Sequence, residues 1–202
     1  MPLDTFPAET DPWLQRWLPL LGDPTPRSSL LELGCDIGRD TVCLAGRGFR
    51  PVALDISAEA LDICRRNVPE AILMRHDLRQ PLPFPDQSFQ AVIGSLCLHY
   101  FEWQKTVEIV REIRRCLLPG GLFLCRVNSI KDVNHGALGY PAIEPHFYAV
   151  DGRYSQKKRY FDRGEIAALF DAGWETVAIE EMTIDRYQRP KEIWEIVLRK
   201  SA

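Results

Sequence analysis

Short apolar runs alternate with segments of helical period along most of this chain, and that alternation leaves room for little but an open, mainly parallel sheet with helices on both faces. Leu30 to Leu33 is the first run, followed by a turn from Gly34 to Gly38 and a helical stretch from about Asp40 to Arg47. Pro51 to Asp55 reads as a second strand, and Ser57 is placed to cap a helix with Leu61 and Cys64 on its apolar face. Ala71 to Arg75 is a third strand, closed by His76 and Asp77. Pro81, Pro83 and Pro85 keep the stretch from Gln80 to Ser88 out of any helix. A fourth strand, Ala91 to Leu96, leads to a helix from Trp103 to Leu117, where Val107, Val110, Ile113 and Leu117 recur at helical spacing. Pro119, Gly120 and Gly121 are expected to end that helix, with Leu122 to Val127 as the fifth strand.

Periodicity is lost between Asn128 and Tyr160, where Gly, Pro, Asn, His and Tyr dominate; so long a loop in a compact domain is as a rule functional or mobile. Asp162 to Glu165 has the D-x-x-E form of an N-terminal cap for a helix through Ile166, Leu169 and Phe170. Trp174 to Ile184 and Ile193 to Leu198, joined through Gln188, Arg189 and Pro190, read as an antiparallel hairpin at one sheet edge. Upstream, Trp13, Leu14 and Trp17 stand at helical spacing, which suits a lid over a ligand or simple core packing.

Charge is nearly balanced, 25 basic against 28 acidic residues for a net −3, so no broad positive field draws a phosphate backbone and no nucleic-acid partner is expected. The basic run Lys157 to Arg159 reads as a solvated cluster. Cys35, Cys43, Cys64, Cys97, Cys116 and Cys125 form no C-x-x-C and have no histidines at zinc spacing, so neither a metal site nor a disulfide framework is expected. Free thiols among Leu, Ile and Val suit a reducing compartment. No apolar run is long enough for a bilayer, and Met1 to Thr10 lacks the pattern of a signal peptide, so a cytoplasmic location is expected.

The stretch Leu31-Glu32-Leu33-Gly34-Cys35-Asp36-Ile37-Gly38-Arg39-Asp40 concentrates the functional signal. A strand that enters a glycine turn and then a helix offers backbone N–H groups to a ligand. Asp55 ends the second strand about 20 residues further on, the spacing at which an acidic side chain meets ribose hydroxyls in doubly wound folds. A dinucleotide fingerprint would read G-x-G-x-x-G, whereas Asp36 stands where a second glycine belongs. Asp36 and Asp40 would repel a pyrophosphate, and they suit a zwitterionic amino acid tail better. S-adenosylmethionine carries such a tail and no phosphate, and Glu32 or Asp36 is placed to meet its ammonium group. A nicotinamide dinucleotide is the competing ligand.

From about residue 28 onward the chain resembles the class I S-adenosylmethionine-dependent methyltransferases. The acidic-glycine turn Glu32 to Gly38, the carboxylate of Asp55, and Asp77 correspond to the family's tail, ribose and adenine contacts. The phrase Asp86 to Phe89 before Phe89-Gln90-Ala91-Val92-Ile93 is similar to the entry into the fourth strand, and Pro119-Gly120-Gly121 to the phrase before the fifth. Lys158-Arg159-Tyr160-Phe161-Asp162 and Pro190 to Val197 resemble small bacterial members near the tellurite-resistance methyltransferases. The family more often has glycine where Asp36 stands. The resemblance implies a Rossmann-like, doubly wound α/β fold: a mostly parallel seven-stranded sheet with an antiparallel C-terminal hairpin. The implied cofactor-binding set is Glu32, Gly34, Cys35, Gly38, Arg39, Asp40, Asp55, Ile56, Asp77, Leu78, Ser95, Leu96 and Tyr100.

Methyl transfer from a sulfonium is an in-line displacement, so alignment and exclusion of water are the protein's main tasks. The acceptor belongs at the carboxyl ends of the strands. His99, Asn128 and Asp132 are the candidate catalytic residues there, with Arg126, His135, His146 and Tyr148 nearby in sequence. The expected acceptor is a small molecule such as a thiol, a metalloid or another metabolite. A nucleic-acid or protein methyltransferase would want a basic face or an added module, and neither is evident. The expected organisation is one domain, with residues 1–27 as lid, 28–127 as cofactor core, 128–160 as acceptor-side loop and 161–202 as C-terminal helix and hairpin.

Overall fold

A computed structural model describes residues 13–25, 27–136, 139–150, 157–185 and 187–201, so the first part of the expected lid and two pieces of the 128–160 loop lie outside the described residues. In chain order the elements are α1 (Trp13–Trp17), β1 (Leu30–Leu33), α2 (Arg39–Gly46), β2 (Val52–Asp55), α3 (Ala58–Asn67), β3 (Ile72–Arg75), β4 (Phe89–Ser95), α4 (Trp103–Cys116) and β5 (Leu117–Asn128). They continue as β6 (Ala142–Glu144), β7 (Phe147–Ala149), β8 (Lys157–Arg159), α5 (Arg163–Leu169), β9 (Trp174–Ile184) and β10 (Lys191–Lys200).

Seven strands make the central sheet in the order β3-β2-β1-β4-β5-β10-β9. β1 pairs in parallel with both β2 and β4, so strand order reverses between β1 and β4 and a crevice opens at their carboxyl ends. β1 is buried along its whole length because its residues feed two cores. Leu31 and Leu33 pack with Val92, Ile109 and Ile113 on one face, and Leu30 packs with Trp13, Leu44, Phe49 and Ile93 on the other. The expected hairpin is present: β10 pairs antiparallel with β5 and with β9, which forms the edge.

Local signals set several boundaries. The Ser57 hydroxyl accepts the Ala60 N–H at 3.1 Å and starts α3. Asp162 and Glu165 form a reciprocal capping box at the head of α5. Two expectations change. The Pro119-Gly120-Gly121 phrase does not separate helix from strand: α4 stops at Cys116 and β5 begins at once, Leu117 pairing with Phe89 and Leu122 with Ala91. Four residues, Leu118 to Gly121, therefore lie opposite the single Gln90 across that register shift, a bulge that Gly120, at φ +74°, can turn. The stretch from Asn128 to Tyr160 is not structureless either, since β6, β7 and β8 form a small antiparallel sheet. Among the described residues no helix is long and apolar enough to cross a membrane.

Candidate active site

The turn after β1 is built on left-handed backbone. Gly34, Asp36 and Gly38 have φ of +65°, +48° and +91°. Asp36 thus occupies the conformation that glycine takes most easily, and aspartate is among the few other residues that tolerate it. A methyl group on Gly34 would sit 2.8 Å from the Cys97 Cβ, and one on Gly38 would sit 2.6 Å from the Cys64 Sγ. Both glycines therefore serve close packing of the turn on its own neighbours. Asp55 locks the turn to β2: one carboxylate oxygen accepts the Asp36 N–H at 2.8 Å, and the other accepts the Ser57 N–H at 2.8 Å. Ile56, half exposed, follows it, its carbonyl held by Arg75.

Glu32 lies beneath the turn, 3 % exposed, and accepts the Thr41 hydroxyl at 2.6 Å. Burial, and then the charge of Asp40, hold its carboxyl well above the usual range. Cys35 is buried in a small cluster with Ala53, Leu61 and Cys64. Arg39 opens α2, and Asp40 in its first turn accepts the Trp13 indole N–H at 2.9 Å. That bond draws α1 over the turn. Trp17 donates its indole N–H to Glu195 at 2.9 Å, and Arg16 pairs with Glu180, so α1 also spans the C-terminal hairpin. Of the two expected roles the structure shows the core packing, since Trp13, Leu14 and Trp17 are all buried.

Beyond β3, Asp77 is gripped by Arg79 through both carboxylate oxygens, which holds its carboxyl below the usual range. Leu78 packs against the main core.

At the end of β4, Leu96 has φ +56°, an uncommon angle for leucine and a sign of a constrained turn. His99 follows in a single 3-10 turn, 3 % exposed, its ring 4.3 Å from that of Tyr100. The Ser95 Oγ and the His99 Nδ1 are buried and have no hydrogen-bond partner among the described residues. Burial, and then the charges of Lys191 and Lys158, keep His99 well below its ordinary pKa, as a neutral imidazole.

The end of β5 brings Arg126 opposite Ser95 and Glu195 in register, fully buried, with its guanidinium 5.2 Å over the Trp13 ring. Asn128 is also fully buried; its amide donates to the Arg159 carbonyl at 3.2 Å, and its Oδ1 has no partner among the described residues. Asp132 accepts Lys191 Nζ at 2.6 Å and stands 2.8 Å from His135 Nδ1, so both of its oxygens are engaged.

The small sheet is fastened over these strand ends by Arg159. Its guanidinium, 1 % exposed, pairs with Glu144 of β6, with Glu165 of α5 at 3.2 Å, and with the carbonyls of Pro145 and Phe101. Glu144 in turn accepts the Trp103 N–H at the head of α4. The run Lys157 to Arg159 is thus not a solvated cluster: burial deepens along β8, from exposed Lys157 through half-buried Lys158 to buried Arg159. Sequence reading missed Arg159, Lys158 and Lys191 as site residues; the aromatic pair Tyr160 and Phe161, both buried, was the available hint that this run enters the core. Among the described residues, His146, Asp162 and Glu165 bring potential metal-ligating atoms within 4.8 Å of one another. Both carboxylates there already serve the α5 capping box, and Glu165 also pairs with Arg159.

Residues 30–121 match the family model described as a methyltransferase domain. An uncharacterized methyltransferase of Synechocystis sp. is 36% identical over 99 residues, covering 49% of this chain and 46% of that protein. A fatty-acid O-methyltransferase of Mycolicibacterium smegmatis is 36% identical over 100 residues, 47% of this chain and 35% of that protein. The chain spans less than half the length of these curated relatives. In three dimensions a SAM-dependent methyltransferase from Methanosarcina mazei superposes with a TM-score of 0.75 at 16% identity, covering 98% of this chain and 99% of that one. Residues 30–121 thus match a methyltransferase domain, and the chain as a whole has the fold of a solved SAM-dependent methyltransferase.

Proposed function

We propose that this chain is an S-adenosylmethionine-dependent methyltransferase acting on a small-molecule acceptor, and that it works as one domain in the cytoplasm. The observation that carries the reading is the bond from the Asp36 N–H to the Asp55 carboxylate, which joins the glycine turn to the acidic strand end in one rigid corner. The residues fit the cofactor. Each Asp55 oxygen keeps a lone pair for a ribose hydroxyl, and the buried Ser95 Oγ and His99 Nδ1 lack partners where the reacting end would lie. Glu32, Gly34, Cys35, Gly38, Arg39 and Asp40 surround the amino acid tail, Asp55 and Ile56 hold the ribose, Asp77 and Leu78 border the adenine, and Ser95, Leu96 and Tyr100 border the sulfonium.

When bound, S-adenosylmethionine supplies an electrophilic methyl group. The chain's task is to hold the acceptor in line with it and keep water out. His99 and Asn128 orient the acceptor from the ends of β4 and β5. Asp132 acts through Lys191 and His135, which it positions. A neutral His99 is also able to take a proton from a hydroxyl or thiol. The fatty-acid O-methyltransferase among the relatives supports a small acceptor, and the C-terminal resemblance to proteins near the tellurite-resistance methyltransferases keeps thiols and metalloid species in the panel.

The test is calorimetry with S-adenosylhomocysteine on wild type and Asp55→Ala, followed by transfer of labelled methyl to a panel of thiols, carboxylic acids, metalloid oxyanions and amines. Binding that weakens at least tenfold in the variant supports the reading, since a hydrogen bond to a charged group is worth about 1.5–3 kcal/mol. Binding of NADH in place of the methyl-donor product overturns it.

A further inference from the structure

The finer question is the acceptor's chemistry, and the answer here rests on the methyltransferase reading. Beyond the carboxyl end of β5 one lysine pairs with Asp132 and a second lies close enough to feel its charge. Lys191, 5 % exposed, reaches Asp132 from β10, and the second Asp132 oxygen is taken by His135. Lys158 is carried on β8, where it pairs in register with Tyr148 and points away from Arg159. Its side chain has no hydrogen bond or ion pair with any described residue. β8 packs against the 3-10 turn that carries His99, which brings half-buried Lys158 to the side of the strand ends.

The groups sense one another. Burial lowers the Lys191 pKa, Asp132 opposes that, and Lys158 and Arg126 add to the lowering. Burial likewise lowers Lys158, with Asp132 its one opposing influence. Among the described residues Lys158 has no carboxylate within ion-pair distance, so its half-buried charge is not directly paired. His99, whose buried Nδ1 has no partner among the described residues, senses the charges of both lysines, and the turn that carries it packs against β8. The buried guanidinium of Arg159, by contrast, is matched by Glu144 and Glu165.

We propose that this cluster is an anion-binding subsite, and that the methyl acceptor carries a carboxylate or comparable oxyanion which Lys158 and Lys191 hold as a handle beside His99. Two lysines with independent stems suit a compact anion approached from two sides. A second cationic group on the acceptor would meet Lys158 head on and be rejected.

The test uses protein saturated with S-adenosylhomocysteine and ligand-observed NMR against matched pairs: benzoate and benzamide, phenylacetate and phenylacetamide, octanoate and octanamide, with inorganic phosphate and sulfate alongside. At least one carboxylate is expected to bind about tenfold or more tightly than its amide, Lys158→Gln to lose that margin, and Lys158→Arg to keep most of it, while affinity for S-adenosylhomocysteine stays unchanged. Lys158 is the residue to change because removing Lys191 would strand the buried Asp132 charge. Amides binding as well as acids, no carboxylate binding at all, or a Lys158→Gln protein that binds acids like wild type each overturn the proposal. Phosphate or sulfate binding as tightly as the best carboxylate overturns the assignment of the site to the acceptor. Failure of S-adenosylhomocysteine to bind wild type is a different result and counts against the methyltransferase reading; the carboxylate series repeated on cofactor-free protein then judges the anion site by itself.

Discussion

Asp55 ties two strand ends together before any ligand arrives, so its loss is felt by the fold as well as by the site. Asp55→Ala is expected to lower stability by about 1–3 kcal/mol, because the Asp36 and Ser57 amides lose a charged acceptor. Asp55→Asn, which keeps an acceptor for one of them, should cost less; urea unfolding of both variants checks the order. Gly34→Ala combines a φ of +65° with a Cβ only 2.8 Å from that of Cys97, and a loss of about 1–3 kcal/mol is expected in the same measurement. His99 gives a pH signature. Unfolded, it titrates near about 6.5; folded, burial holds it well below that. In the interval the unfolded chain carries the extra proton, so this part of the stability is complete above the unfolded pKa and is lost as pH falls toward the folded one. Stability of wild type should therefore drop more steeply below pH ~6.5 than that of His99→Gln, read as urea midpoints across the acid range. The glycine turn and Asp55 were legible because both signals are local and their separation is fixed by a strand-helix-strand unit. Lys158 and Lys191 were not, because they meet Asp132 only through pairings between distant segments.

Among the elements, the three-stranded cap depends on a single guanidinium. Arg159→Met removes the charge that Glu144 and Glu165 share, and a loss of about 3 kcal/mol is expected, at the low end for a broken buried pair because Glu144 is partly exposed. Limited proteolysis should then cut the 128–160 stretch first, while the central sheet stays protected. Cleavage confined to other segments would refute the latch role. These strands escaped sequence reading for a plain reason: three residues show no period, and the charged run in β8 copies the composition of a surface loop. The α5 cap was the opposite case, since Asp162 and Glu165 state a helix start within four residues.

For the whole molecule, the two cores share one central sheet, and unfolding should occur in a single transition that a bound ligand shifts as a unit. S-adenosylhomocysteine at 100 times its Kd should add about 2.7 kcal/mol, or roughly 5–11 °C in Tm for a chain of this length, and NADH should add nothing. Separate melting of the hairpin would argue against one cooperative unit. The mainly parallel character of the sheet followed from the alternation of runs and helices, with the final pair correctly set antiparallel at the edge. What could not be read was the join at Leu117 to Gly121, where Pro and two glycines signal a break and the backbone makes a bulge inside a continuous strand.

Because Asp55 has both oxygens fastened by main-chain amides, its rotamer is frozen when the protein folds, and an incoming sugar need not immobilise it. The entropy of fixing that side chain is charged to folding, and the binding step is relieved of it. Fold stability and ligand grip therefore draw on the same two hydrogen bonds, so substitutions at this corner should move melting temperature and affinity in concert.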